Sequence, residues 1–463
     1  MDTSSLDVRF YPIETNERVK GNTYTVRWKV AHKKHSKTYK KYVVADDERS
    51  KLMAAQRKRE PFDIEMGLPV TWLSSKASGT NWFDFVVEYL DWKWPSASAN
   101  TRKNMAKVLA PATIALLCRP IPDHFNSVKV RRALREFAFS NCRNDPDNPI
   151  PDDIQAILDW VRRNSPPMSA WEKAENVDKV VVALSTRLDG TAVAASSVKR
   201  NDRTMNLVMS YAIRHDYLKQ NPLPKGKDRT SPKVADSIDK RRLLNRALVA
   251  KMLDWIGERP RRGALYRAFF ATIYYAGLRP EEAVALRVGD ATLPETGWGE
   301  FLVHEAQPEV GSRWTDSREA HEKRWLKGRG EGDTRVIPIR PVLVRVLREV
   351  IREYDLGEVD LLFPGEKGGM LAGSVFRRVW GKAREEVLSK REQETPMGKR
   401  VYDLRHTCLT TWLNRGTPPA RVAEWAGNST LVLLTIYARC IDGEVEGILK
   451  ALEDDEDRRP ERV

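Results

Sequence analysis

Cysteine is scarce in this chain. Four occur in 463 residues, Cys118, Cys142, Cys408 and Cys440, and none forms a CxxC or other ligand spacing. That argues against a disulfide framework and a zinc ribbon, and suits reduced thiols in a cytosolic protein. Histidine is thin too, with seven scattered residues. His32 and His35 have a metal-like spacing but lie among lysines with no second ligand pair, so no metal is expected. No apolar run approaches the roughly 18 residues that read as a membrane span. No signal-peptide pattern opens the sequence. Acidic residues are in deficit: 64 Asp and Glu face 79 Lys and Arg, a net charge of +15. Such an excess favours a polyanionic partner, nucleic acid first among them.

The charge is uneven. Residues 1–60 hold 15 Lys and Arg against 8 Asp and Glu. Here Tyr24, Val26, Trp28 and Val30 alternate with polar residues, the period of a half-buried strand. Residues 33–37 read as a basic turn, 38–44 as the partner strand and 46–60 as a helix ending in Arg57-Lys58-Arg59. A basic sheet of this kind can enter a DNA groove, which makes Arg27, Lys29, Lys33, Lys34 and Lys37 candidate contacts. The bland alternative is a solvated hairpin.

Residues 78–222 read as helical throughout. Helices are expected over 82–94, from a cap at Ser96 or Ser98 to about 118, and over 128–140, 152–164, 170–183 and 193–218. Lys199, Arg200 and Arg203 lie near the start of the last and are further candidate DNA contacts. A charged stretch with Pro and Gly over 223–240 is the expected linker. From Arg241 the pattern becomes mixed. Helices are expected over 246–257, 264–276, 280–286, 341–353, 374–388, 404–414, 419–425 and 431–440, with strands over 300–304 and 335–339. Arg377, Arg378, Lys382 and Arg384 are either a solvated stripe or phosphate contacts. An apolar stripe through Val445, Ile448, Leu449 and Leu452 precedes an acidic tail over 453–457.

The residues that carry chemistry stand in the last half. Arg279 sits in Ala-Gly-Leu-Arg-Pro-Glu-Glu, with Glu282 three residues on. Arg405 sits in Tyr402-Asp403-Leu404-Arg405-His406-Thr407. Tyr437 follows Arg405 by 32 residues and Asn428 by 9. A guanidinium stays charged and donates two parallel hydrogen bonds to a phosphate, and a phenol can attack the phosphorus. Each alone has a plainer reading. Arg279 can cap a helix, Tyr437 can fill a core, and His406 is expected to pack or cap locally as a supporting residue. Together, in this order, they point to phosphodiester chemistry.

These motifs resemble the tyrosine recombinase family, the phage-type integrases. The likeness is strong over 241–450 and looser before it. The resemblance implies that Arg279 and Arg405 hold the scissile phosphate, that Tyr437 is the nucleophile, and that Glu282 braces the site. It implies a covalent 3′-phosphotyrosine and a free 5′ hydroxyl, with neither cofactor nor metal. Between the arginines, residues 326–338 look like the family's lysine-bearing hairpin. Lys327 is the candidate general acid, with Lys323 and Arg329 as competitors. Two positions depart from the pattern. Tyr402 stands where a His is usual, and Asn428 where His or Trp is usual, so slow turnover is expected.

The expectation is therefore a multidomain, mainly helical protein with small β parts. Residues 1–70 would be an arm-type DNA-binding module, 78–224 a helical core-site domain and 241–463 the mixed α/β catalytic domain, the larger two closing as a clamp on duplex DNA. Site-specific integration or excision of a phage or other mobile element is the implied function. The implied partners are attachment-site DNA, a homotetramer with the 445–452 helix docked on a neighbour, and a DNA-bending host factor or excisionase. The implied location is the cytoplasm, at the nucleoid. The rivals are a type IB-like topoisomerase and a catalytically impaired integrase acting as a DNA-binding protein.

Overall fold

The computed structural model describes residues 4–17, 22–72, 79–224, 237–326, 330 and 332–437. The strand Thr23–Val30 is the hub of the N-terminal part and pairs antiparallel with Val8–Phe10, Glu14–Asn16 and Lys33–Tyr39. Val26, Trp28 and Val30 share one face and are buried, as their alternation requires. Two expectations fail here. Residues 33–37 are strand and not turn, because the chain reverses over Ala31 and His32, with Ala31 at a φ of 49°, so Val30 already faces Lys33. A two-residue hairpin of this kind needs no longer loop. The partner strand accordingly ends at Tyr39, and the helix begins early, as Tyr42–Arg57. Val43 and Val44, expected at the end of that strand, lie exposed on the first helical turn.

Six α-helices follow: Trp82–Lys93, Ala99–Ala115, Ser127–Ala133, Asp152–Arg163, Ala174–Ser185 and Ala195–Arg214. Asn81, Ser98 and Asn126 each accept a backbone N–H at the start of one, satisfying a donor that the helix leaves unpaired. The expected 128–140 helix is instead an α-helix that passes into a π turn over Leu134–Ala138. The core gathers around Trp82, Phe85, Tyr89 and Trp171. Glu88 ties the first helix to the end of the last, accepting from the hydroxyls of Tyr211 at 2.9 Å and Tyr217 at 2.6 Å. Lys219 pairs at 3.0 Å with Asp63.

The chain divides into two compact units, Met1–Lys233 and Val234–Val463. In the second, the apolar helix Gly263–Ala276 is the core element, packed by Arg246–Gly257, Pro341–Glu353 and Tyr402–Asn414. A three-stranded antiparallel sheet runs Arg335–Ile339, Gly299–Val303, Ala291–Thr292. A further pair, Glu305–Ala306 with Arg324–Trp325, is too short to leave an alternating pattern in the sequence. The fold is multidomain and mainly helical with small sheets. Among the described residues, no helix is long and apolar enough to cross a membrane.

Candidate active site

The helix Pro419–Ala426 ends at Gly427, which takes a left-handed φ of 62°. The last carbonyls of a helix have no partner inside it. Three arginines from three separate elements meet that need. Arg335, which opens the strand Arg335–Ile339, donates Nε to the Trp425 carbonyl at 3.0 Å. Arg405, on the helix Tyr402–Asn414, donates Nη2 to the Ala426 carbonyl at 2.7 Å. Arg279, ahead of the short helix Pro280–Ala283, donates Nη2 to the Gly427 carbonyl at 2.8 Å. The negative end of the helix dipole favours cations at this place. Gly427 leaves them room, since a Cβ there would lie 3.0 Å from Arg335 Nη1.

Glu282 sits between two of these side chains. It accepts from Arg279 Nη1 at 2.7 Å and from Arg335 at 2.6 and 3.1 Å. Its other contact, from the Arg279 backbone N–H at 2.9 Å, closes the turn that aims Arg279. Burial works against the Glu282 charge, but Arg335 and Arg279 outweigh it and hold its carboxyl at about 2. Burial also works against Arg279, where Glu282 more than compensates and the guanidinium ends above its ordinary value. Arg335 ends below its ordinary value, because burial and the two other arginines outweigh the help from Glu282. The opposite shifts of the two partners follow from depth, 1% against 10% side-chain exposure.

Asn428 completes the cluster. Its Oδ1 accepts from Arg279 at 2.8 Å and lies 3.5 Å from Arg405 Nη2. The amide oxygen thus faces the arginines, which leaves the NH2 group as its donor. Arg405 is wholly buried, and among the described residues its Nε has no acceptor. Its Nη1 donates to the Gly277 carbonyl at 2.5 Å. Gly277 ends the helix Gly263–Ala276 at a φ of 63°, and a Cβ there would lie 2.8 Å from Leu409. Gly277→Ala is therefore expected to lower stability by about 1–3 kcal/mol through backbone strain alone. Urea unfolding of the variant beside wild type measures this, and an unchanged midpoint refutes it.

Tyr437 lies on the helix Thr430–Tyr437 and is 2% exposed. Its hydroxyl lies 2.9 Å from His406 Nδ1. The His406 ring stands between Tyr402 and Tyr437, with centroid distances of 4.9 and 5.7 Å. Tyr402 also lies under the Arg405 guanidinium at 5.8 Å. Burial, then the charges of Arg405, Arg242 and Arg400, push the His406 pKa down to about 4. His406 is thus more than a locally packed residue: it reaches a hydroxyl 31 positions further along the chain.

Of the residues expected to carry chemistry, Arg279, Glu282, Asn428 and Arg405 converge on the end of one helix, and Tyr402, His406 and Tyr437 form a second group beside Arg405. Lys327 and Arg329 lie outside the described residues, as do the 445–452 stripe, the acidic tail and most of the expected linker. Lys323 pairs with Glu305 at 3.0 Å. Arg335 was passed over as a site residue. Its signal was a charged residue in the inward phase of Arg335-Val336-Ile337-Pro338-Ile339, where the alternate positions are buried.

Tyrosine recombinase XerC of Brucella melitensis biotype 1 is 27% identical over 184 residues, 39% of this chain and 48% of that protein. Over those residues the chain is similar to this tyrosine recombinase. It spans about half the length of that relative. No family model matches. Among solved structures, the Tn1549 transposon integrase in complex with transposon right end DNA has a TM-score of 0.46 and 16% identity, over 71% of this chain and 98% of that one. The XerH site-specific recombinase bound to difH substrate has a TM-score of 0.46 and 14% identity, over 82% and 96%. A lambda integrase dimer bound to a COC′ core site has a TM-score of 0.41 and 12% identity, over 98% and 97%.

The basic residues expected outside this site sort by face. Lys33 and Lys37 point to the helix side of the N-terminal sheet, paired with Glu65 and Glu48. Arg27, Lys29 and Lys34 occupy the opposite face, since Arg27 and Lys29 alternate with the buried strand positions and Lys34 is in register with Lys29. Arg27 is paired there with Glu14. Arg9, in register with Lys29, joins that face and was missed. Lys199, Arg200 and Arg203 are exposed on the helix Ala195–Arg214. Lys103, Arg135 and Arg200 lie near Lys107. Burial, then the like charges of Lys103, Arg200 and Arg135, lowers the Lys107 pKa. Arg131 is lowered by burial and by Arg135. Arg377 and Arg378 are exposed. Arg384 is neither a solvated charge nor a phosphate ligand, because it donates to the carbonyls of Met397, Gln393 and Thr395 at 2.7–2.8 Å.

Proposed function

We propose that this protein is a site-specific DNA recombinase, an integrase that cuts and rejoins duplex DNA through Tyr437. One observation carries the reading: three buried guanidiniums meet at one helix end with a single carboxylate bonded to two of them, and the site's excess of positive charge adjoins a histidine paired with the buried Tyr437. A phosphodiester supplies the missing anion. Arg279 and Arg405 bind the non-bridging oxygens, where charge grows in the transition state. The Asn428 amide donates one further bond, and Tyr402 lines the site beside Arg405. Glu282 and Arg335 hold the arginines in place. Lys327 protonates the leaving 5′ oxygen. The phosphotyrosine conserves the energy of the broken bond, so religation needs no ATP. Because Tyr437 is covered, engagement of DNA has to expose it.

A nicked suicide duplex, carrying a core site taken from the DNA flanking the gene, tests this. With neither metal nor ATP, the wild type is expected to form a covalent protein–DNA adduct on a denaturing gel. DNA binding without any adduct sinks the reading and leaves a DNA-binding protein.

In the same reading, residues 1–70 bind arm-type sites, 78–224 bind the core site and 241–463 carry out catalysis. Four chains act on two duplexes, with a DNA-bending host factor or excisionase and at the nucleoid. The open sheet face with Arg9, Lys29 and Lys34, and the cluster of Lys103, Lys107, Arg131, Arg135 and Arg200, bind phosphates. Affinity is then expected to fall by about 10³-fold or more between about 50 and 200 mM salt, as for six or more phosphate contacts. A binding titration that is flat over this range argues against both surfaces.

A further inference from the structure

We propose that His406 is the general base that accepts the Tyr437 proton during DNA cleavage and returns it during religation. The inference rests on the recombinase reading above and assigns a step that it left open. A phenol with a reference pKa of about 10 is a poor nucleophile at neutral pH unless a base takes its proton. Among the described residues, His406 Nδ1 stands 2.9 Å from the Tyr437 oxygen, within the reach required of a general base. Tyr402, the other ring against the imidazole, makes ring contact only.

The charge around the imidazole fits the task. His406 faces Arg405, Arg242 and Arg400, along with the rings of Tyr402 and Tyr437. These cations and burial keep the ring neutral in the free protein, so Nδ1 has a lone pair to offer. Of the two neutral partners the phenol is the stronger proton donor. A bound phosphodiester adds negative charge beside Arg405, which offsets the cations and raises the basicity of His406 when it is needed.

The step balances. The Tyr437 proton passes to Nδ1 while the phenolic oxygen bonds to phosphorus. The phosphorus–5′ oxygen bond breaks, and that oxygen leaves with a proton from Lys327 or solvent. In religation the 5′ hydroxyl attacks and gives its proton back to Lys327 or solvent, the tyrosine–phosphorus bond breaks, and the imidazolium returns its proton to Tyr437.

The test is single-turnover adduct formation by the full chain on the suicide duplex, with wild-type adduct as the control for the underlying chemistry. His406→Asn places an amide oxygen near the Nδ1 position, so it can accept the hydrogen bond but not the proton. It is expected to cleave about 10²–10⁴-fold more slowly, the usual worth of a general base, with DNA binding unchanged. A duplex with sulfur in place of the leaving 5′ oxygen needs no acid and is expected not to rescue this variant. A rate within about threefold of wild type, or rescue by the sulfur duplex, overturns the proposal. So does a faster His406→Ala, which would make the contact a latch. Should these variants fail to fold, the wild-type pH profile decides. A rate level from about pH 6 to 8 fits a base that is already neutral there, whereas a tenfold rise per unit points to hydroxide and overturns the assignment.

Discussion

Tyr437→Phe is expected to abolish the covalent adduct while leaving DNA affinity within about twofold of wild type. The loss follows from the chemistry: without the phenolic oxygen no phosphotyrosine can form, and removing a nucleophile typically costs on the order of 10⁶-fold. Affinity survives because the arginine cluster does not depend on that oxygen. Arg279, Arg335 and Arg405 are held by the Trp425, Ala426 and Gly427 carbonyls and by Glu282. The substitution has a structural cost as well. It leaves His406 Nδ1 without the 2.9 Å contact in a partly buried setting, an unpaired polar group worth at most about 1–3 kcal/mol. Adduct gels, equilibrium binding and urea unfolding separate the three effects. An adduct that persists in Tyr437→Phe and disappears in Tyr402→Phe would move the nucleophile to Tyr402, the other phenol beside Arg405.

Glu282→Gln is expected to be the most destabilising conservative change in the second unit. The carboxylate is 1% exposed and bonded to two buried guanidiniums. Removing one partner of a buried ion pair typically costs about 3–5 kcal/mol, because the remaining charges stay buried without compensation. Here three guanidiniums would remain around a neutral amide. The effect depends on pH with a definite sign. Folding lowers the Glu282 pKa from 4.5 to about 2, so the native state holds the proton less readily than the unfolded chain. Its stabilisation is complete above about pH 4.5 and is lost as the pH falls toward 2. The gap between wild type and Glu282→Gln should be full at pH 7 and narrow through that window. Denaturant unfolding at several pH values measures it. A gap that is constant with pH, or absent at pH 7, refutes the role given to Glu282.

Much of this was legible along the chain. The helices Arg246–Gly257 and Pro341–Glu353 follow from apolar period and proline placement, and end where the sequence indicates. The arginine and tyrosine motifs were legible because each has local context: a glycine that must end a helix before Arg279, and an acidic residue one turn on. The hairpin at residues 30–33 was misread because its turn rests on one positive φ at Ala31, which no glycine announces. The five basic residues of that module looked alike in sequence. Only cross-strand register and two ion pairs divide them between two faces.

By itself the sequence determined which residue types were available and in what order: two arginines, an asparagine and a tyrosine fit for phosphodiester chemistry, with a positive charge fit for DNA. What they touch was decided by the tertiary structure alone. Arg279, Arg335 and Arg405 lie far apart in the chain, yet they meet at three consecutive carbonyls because a helix end leaves those acceptors unpaired and electronegative. Arg335 had no motif to mark it, and His406 had no distant partner in view. Both acquired one only when packing carried them across the chain to Glu282 and to Tyr437. Spacing along a chain encodes helices and strands, but a contact between distant segments depends on how those elements pack, which no local pattern specifies.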